Sequence, residues 1–238
     1  MKHERGNPAV RIDALTKRFG FSWALNGIEL TLNQGELLAM FGPNGAGKTT
    51  LIQILSSLMK PTSGKITLLG YDLEKKGEAL RKTIGVLAHL PLLFDNLTAR
   101  ENLKFYGQMF EVKNLKARID QLLTDVGLKE YGNQLVGTFS RGMQQRLAIA
   151  RALIHKPRLL LLDEPHTGLD QNGIAFLTQT LKNFLDEGKT VVMTGHDFAR
   201  GLELCTKAAI LNNGHLVYYG DPSELEDSFE SLYQRCVG

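Results

Sequence analysis

Gly42-Pro43-Asn44-Gly45-Ala46-Gly47-Lys48-Thr49 separates a short apolar run, Glu36 to Phe41, from a stretch that carries Leu51, Ile54, Leu55 and Leu58 at helical spacing. The octapeptide fits G-x-x-x-x-G-K-[ST]. It stands where that spacing has mechanical meaning, after a buried strand and at the opening of a helix that Pro61 and Gly64 would end. Its glycines let backbone N–H groups converge on phosphate oxygens, and the helix N-terminus adds partial positive charge. Lys48 then reaches the outer phosphates, and the Thr49 hydroxyl is a candidate Mg2+ ligand.

On the N-terminal side, Val10 to Leu15 and Ile28 to Leu32 alternate as strands do. On the C-terminal side, Lys65 to Gly70 and Thr83 to Leu87 read as strands, with a polar stretch between them up to Lys82. From Thr98 to about Lys129 the periodicity turns helical, through Leu103, Tyr106, Met109 and Phe110 and then Ile119, Leu122, Leu123 and Val126. This predicts a helical insertion at roughly Leu90 to Lys156. A further helix, Gln144 to Leu153, ends before Pro157.

The run Leu159 to Leu162 reads as a strand buried on both faces, as in parallel sheets. It ends in Asp163-Glu164-Pro165, and the period of two along a strand sends neighbouring side chains in opposite directions. In a P-loop enzyme Asp163 would hold Mg2+ through water, while Glu164 would polarise an attacking water. Val191 to Met193 and Ala208 to Leu211 repeat the short apolar pattern, and Asn212-Asn213-Gly214 turns into Leu216 to Tyr219.

Composition excludes several classes. With 43% apolar and 22% charged residues over 238 positions, the chain is globular rather than disordered. A net charge of +3, from 28 Lys+Arg against 25 Asp+Glu, gives no basis for nucleic-acid binding. Cys205 and Cys236 are too few for a disulfide framework or a paired metal motif, which fits a reducing, cytoplasmic setting. No apolar stretch approaches the roughly 18–20 residues of a membrane span, and Met1 to Pro8 lacks the apolar segment of a signal peptide.

Phe139-Ser140-Arg141-Gly142-Met143-Gln144-Gln145-Arg146 adds a second anion site, since Ser140 is placed to cap a helix beginning near Arg141. Taken with the loop at Lys48 and the Asp163-Glu164 pair, this segment resembles the signature motif of the nucleotide-binding subunits of ATP-binding-cassette (ABC) transporters. The resemblance covers nearly the whole chain. It implies an α/β P-loop NTPase with a RecA-like core, an antiparallel β subdomain and a helical insertion, in one domain over residues 1–238. Residues 1–89 and 157–238 would form the core and β subdomain, and about 90–156 the helical part.

The same resemblance implies ATP hydrolysis with Mg2+ by a dimer, expected to be a homodimer, that closes on two ATP molecules. Gly42, Pro43, Asn44, Gly45, Ala46, Gly47, Lys48, Thr49 and Thr50 would bind ATP, with Thr49 and Asp163 at the metal. Ser140, Arg141, Gly142 and Met143 would act across the dimer on the partner's nucleotide. Phe19 resembles the aromatic that stacks on adenine, with Phe21 and Trp23 as competitors. Asp170, in Thr167-Gly168-Leu169-Asp170, resembles the dimer-contact residue, and His196 the switch histidine that works with Glu164 and Lys48 in catalysis. An integral membrane permease subunit would be the further partner, with the chain peripheral on the cytoplasmic face of the membrane.

Three positions depart from the family pattern. His89 stands where the family usually has glutamine, and Mg2+ prefers oxygen ligands, so a water-mediated or coupling role is expected there. Arg141 replaces the first glycine of the signature and Met143 its glutamine, which leaves Ser140 and Gly142 to meet phosphate. His89 with Pro91, Leu97 to Tyr106, and Asp170 to Gly173 leading into Leu177-Thr178-Gln179 are similar to the ATP-binding subunit of the haem exporter of cytochrome c maturation. Drug and lipid exporters share the Thr-Ala-x-Glu-Asn-Leu stretch.

Overall fold

A computed structural model describes residues 8–88, 90–196, 198–225 and 229–237. In chain order the elements are β1 (Pro8–Phe19), β2 (Ser22–Asn33), β3 (Leu37–Phe41), α1 (Lys48–Leu55), β4 (Ser63–Leu68), β5 (Tyr71–Asp72), α2 (Leu73–Arg81) and β6 (Ile84–Leu87). There follow α3 (Ala99–Met109), α4 (Leu115–Asp125), α5 (Arg141–Leu153), β7 (Leu159–Leu162), α6 (Gln171–Asp186), β8 (Thr190–Thr194), α7 (Phe198–Leu202), β9 (Lys207–Asn212), β10 (His215–Gly220) and α8 (Phe229–Val237).

Two sheets organise these elements. The larger has the order β10-β9-β3-β8-β7-β6 and is parallel from β9 to β6, with β10 antiparallel at its edge. The smaller, β2-β1-β4-β5, is antiparallel throughout. The period of two sorts the central side chains between two cores. Leu38 and Met40 of β3, with Leu159 and Leu161 of β7, face a core shared with β1, β2 and α1. Leu37, Ala39 and Phe41, with Leu160 and Leu162, face a second core under α6. A third cluster, around Leu103, Leu122, Leu123 and Leu147, joins α3, α4 and α5.

The parallel register sets Leu162 beside Met193 and Met40 beside Thr194, so β3, β7 and β8 end at one edge of the sheet. Whatever follows each strand is gathered there, the usual place for a ligand in such a sheet. Capping explains where the helices around it begin. Thr98 and Glu101 form a reciprocal capping box on α3, Ser140 caps α5 and Asp170 caps α6.

Some elements differ from the sequence expectation. Helix α1 ends at Leu55 rather than Leu58, because Ser57 takes a left-handed φ of 56° and Leu58 turns outward, 60% exposed. The polar stretch before Lys82 contains α2, whose amides at Glu74 and Lys75 bond the Asp72 carboxylate. The helical stretch from Thr98 is divided in two, with Glu111 and Asn114 at φ 56° and 52° between α3 and α4. Helix α6, one of the longest, follows Asp170 where no helix was read.

Candidate active site

The loop of residues 42–47 joins β3 to α1, and two of its glycines are fixed by what lies against them. A Cβ on Gly42 would sit 2.2 Å from the Leu211 carbonyl oxygen, and one on Gly47 2.4 Å from that of Ala24. Gly47 is the N-cap of α1, with φ 108° and no side-chain cap, so the first amides of the helix remain available to an anion. Ala46 is buried, and its carbonyl accepts from Gly214 N at 3.1 Å, tying the loop to the β9–β10 turn. Pro43 is half-buried, Asn44, Gly45 and Thr49 are exposed, and Thr50 is intermediate.

Lys48 is buried and folds over its own loop, donating to Gly42 O at 2.7 Å and Pro43 O at 3.0 Å. Burial pushes its pKa down, opposed by the Glu164 and Asp163 carboxylates. Asp163 follows β7 and is buried; its Oδ1 accepts from Thr49 Oγ1 at 3.2 Å and from Thr194 Oγ1 at 2.7 Å. Hydroxyl and carboxylate oxygens of this kind suit a hard cation such as Mg2+.

Glu164 has a left-handed backbone, φ 49°, and its amide donates to Thr194 Oγ1 at 3.0 Å. Its Oε2 accepts from Thr167 Oγ1 at 3.3 Å, and its Oε1 is 3.8 Å from His196 Nδ1. The P-loop, the acidic pair and His196 therefore meet at one sheet edge. Thr194 belongs with them, and sequence reading passed it over. Its signal was a hydroxyl ending the otherwise apolar run Val191 to Met193, two residues before His196.

Ser140 caps α5, its Oγ accepting from Met143 N at 3.3 Å. The start of this helix lies against the following loop, where a Cβ on Gly142 would be 3.1 Å from Gly168 O and one on Gly168 3.3 Å from Arg141 Cγ. Gln145 Nε2 donates to Pro165 O at 3.1 Å. Arg141, Gln144 and Gln145 share a cavity of about 340 Å3 with Asp163, Glu164 and Pro91. Asp170 accepts from Gly173 N at 2.8 Å as the α6 cap. Among the described residues, no hydrogen bond joins Ser140, Met143 or Asp170 to the 42–50 loop.

His89 lies outside the described residues. Phe19, Phe21 and Trp23 cluster at the β1–β2 turn, with Lys17 Nζ 5.0 Å from the Phe19 ring and Arg18 Cζ 5.7 and 5.3 Å from Phe21 and Trp23. Phe21 is 96% exposed. Gly47 abuts Ala24, the residue after Trp23, so this aromatic turn adjoins the phosphate loop.

A glycine loop running from a central parallel strand into an uncapped helix, with an acidic pair ending the next strand but one in the same sheet, defines a P-loop NTPase. Residues 25–167 match the ABC transporter family. The chain is 37% identical over 214 residues to the ABC transporter ATP-binding protein NatA of Bacillus subtilis (strain 168), covering 89% of this chain and 84% of that one. It is 34% identical to the daunorubicin resistance ATP-binding protein DrrA3 of Streptomyces coeruleorubidus, covering 92% and 70%. Among solved structures, the dimeric post-hydrolysis state of an ATP-binding cassette bound to ADP and Pi superposes with a TM-score of 0.82 at 28% identity, covering 89% and 98%. The chain belongs to the ABC transporter ATP-binding family and is an ATPase of that family.

Proposed function

We propose that this chain is the ATP-driven motor of a membrane exporter, in which two copies close on two ATP molecules and hydrolysis reopens them. The observation that carries the reading is the meeting of Thr49, Asp163 and Glu164 beside the P-loop, with Thr49 Oγ1 bonded to Asp163 Oδ1 at 3.2 Å. Residues 42–50 hold the phosphates, and the Lys48 ammonium and the α1 N-terminus balance charge on the γ-phosphate. Glu164 orients water for in-line attack, and His196 holds Glu164 and the γ-phosphate in register. Mg2+, held by Thr49 and through water by Asp163, supplies further charge neutralisation when bound.

Ser140, Arg141, Gly142 and Met143 serve the partner's nucleotide, Asp170 contacts the partner, and the aromatic turn at Phe19 meets adenine. The chain acts as one domain, with its helical part at about 90–156. The dimer in the superposed cassette supports the pairing of two copies. No helix among the described residues is long and apolar enough to cross a membrane. In this reading an integral permease subunit carries the cargo, with this chain at its cytoplasmic face. Leu90, Leu92 and Phe94, which follow position 89 in the sequence, are exposed and offer that subunit an apolar contact.

The cargo reading favoured by the relatives is a small organic molecule, since one of them is named for daunorubicin resistance. A second reading, haem export, rests on His89 with Pro91, on Leu97 to Tyr106 and on Asp170 to Gln179. Purification of the tagged chain from solubilised membranes should recover an integral subunit and ATPase activity. Recovery of an active chain with no membrane partner would overturn the motor reading. Loss of the chain should sensitise cells to an exported compound, or, on the haem reading, abolish c-type cytochromes.

A further inference from the structure

Thr194 is the last residue of β8, buried to 1% exposure, and its hydroxyl sits at a junction. It donates to Asp163 Oδ1 at 2.7 Å and accepts from the Glu164 amide at 3.0 Å. One hydroxyl has one proton to give, so this pair of bonds has a single direction: Glu164 N–H to Thr194 Oγ1, and Thr194 O–H to Asp163. The second donor to that carboxylate oxygen, Thr49 Oγ1, comes from the P-loop helix. Thr194 thus ties a third strand to both acidic residues, and through Asp163 to Thr49.

The backbone at Glu164 makes this tie consequential. Its φ of 49° lies in the left-handed region, which side-chain-bearing residues avoid and which the surrounding structure must enforce. The hydrogen bond that the Glu164 amide donates to Thr194 Oγ1 is one such enforcement. The Glu164 carboxylate projects from that residue toward Thr167 and His196, so its aim depends on the turn that Thr194 holds.

We propose that Thr194 is a positioning residue for hydrolysis: its hydroxyl sets the orientation of Asp163 and the backbone turn that aims Glu164. It acts through Asp163 and Glu164, which its hydroxyl bonds, and the inference rests on the roles proposed above for those two residues. A merely structural threonine would affect folding stability and leave turnover per folded molecule unchanged.

The test is steady-state ATP hydrolysis by the full chain bearing Thr194→Val, which keeps the shape and removes the hydroxyl, and Thr194→Ser, which keeps the hydroxyl. The expected result is a fall of about tenfold or more in kcat for Thr194→Val with KM for ATP within about twofold, and recovery in Thr194→Ser to within about threefold of wild type. In a Glu164→Gln background, Thr194→Val should add little further loss, because the two changes act on one step. Full kcat in Thr194→Val, or no recovery in a folded Thr194→Ser, overturns the proposal. If Glu164→Gln alone keeps wild-type turnover, the assignment of Glu164 fails and this inference fails with it. A slow Glu164→Gln beside a fast Thr194→Val sinks the inference alone. Thermal unfolding of both threonine variants identifies a loss that comes only from misfolding, which also counts against it.

Discussion

His196 Nδ1 lies 3.8 Å from Glu164 Oε1, while Thr167 Oγ1 bonds the other oxygen of the same carboxylate at 3.3 Å. Glu164 is therefore held from its Oε2 side by a hydroxyl, and its Oε1 faces a histidine just beyond hydrogen-bond distance. That spacing leaves the histidine free to bond a γ-phosphate oxygen, and the carboxylate oxygen free to accept from water.

On the role proposed for Glu164, Glu164→Gln keeps the shape and removes the charge assigned to orienting water. Turnover should fall by about a hundredfold or more, in the range typical of a lost general base, while ATP affinity stays within about threefold. Phosphate release and equilibrium nucleotide binding measure the two quantities. With binding intact and hydrolysis slowed, the ATP-bound dimer should accumulate and be visible by size exclusion. Turnover at the wild-type rate would remove Glu164 from the mechanism.

Lys48 gives a different split. Its ammonium now bonds the Gly42 and Pro43 carbonyls, and it must exchange these for phosphate oxygens when nucleotide binds. Lys48→Met should weaken ATP binding by about tenfold or more, the scale of one charge-assisted contact. Burial disfavours the charge while the Glu164 and Asp163 carboxylates and the two carbonyls favour it, and with these effects opposed the loss of the ammonium should shift the stability of the empty protein less than it shifts ATP binding. A large fall in the melting temperature without nucleotide would contradict this account.

Much of this site was legible in the sequence because its signals are local. The loop is contiguous with the strand and helix that flank it, and the acids directly follow the run of leucines from Leu159 to Leu162, so each signal is complete within its own short stretch. Ser140 was readable as a cap because capping needs only the next three residues. What was not legible depends on distant neighbours. Thr194 matters only because β8 pairs in register with β7, which puts its hydroxyl against Asp163. Helix α2 was hidden because its sequence is mostly polar, and only the Asp72 cap and the packing of Leu73 and Leu80 sustain it. The end of α1 turned on the backbone of Ser57, which no apolar period reports.

Two glycines of the loop allow backbone conformation to be separated from crowding. Gly42→Ala places a Cβ 2.2 Å from a main-chain oxygen, which cannot swing aside as a side chain would. Gly45 has φ 81° with nothing within 4 Å of the added carbon, so Gly45→Ala carries conformational strain alone. Gly45→Ala should cost about 1 kcal/mol, and Gly42→Ala several times as much together with ATP binding. Urea denaturation and nucleotide titration of the two variants should therefore diverge; equal losses would mean that strain, not the Leu211 contact, dictates Gly42.

Away from the site, His155 should make stability depend on pH. Its ring stacks on Phe110 with centroids 4.0 Å apart, and Nε2 lies 3.0 Å from the Ile84 carbonyl oxygen while Nδ1 is buried without a partner. Burial, reinforced by the Arg151 and Arg118 cations and opposed by the Ile84 carbonyl, pushes its pKa down from 6.5 to about 4. The folded state thus keeps the imidazole neutral where the unfolded chain would take up a proton. The contribution is fully present above pH 6.5 and is lost as pH falls toward 4. Between pH 7.5 and 5 this one group should cost about 2 kcal/mol of stability. Urea unfolding of wild type and His155→Gln at both pH values measures the difference. The glutamine variant should be less stable at pH 7.5, having lost the stacking, and should lose about 2 kcal/mol less than wild type on acidification; parallel losses would place the acid sensitivity elsewhere.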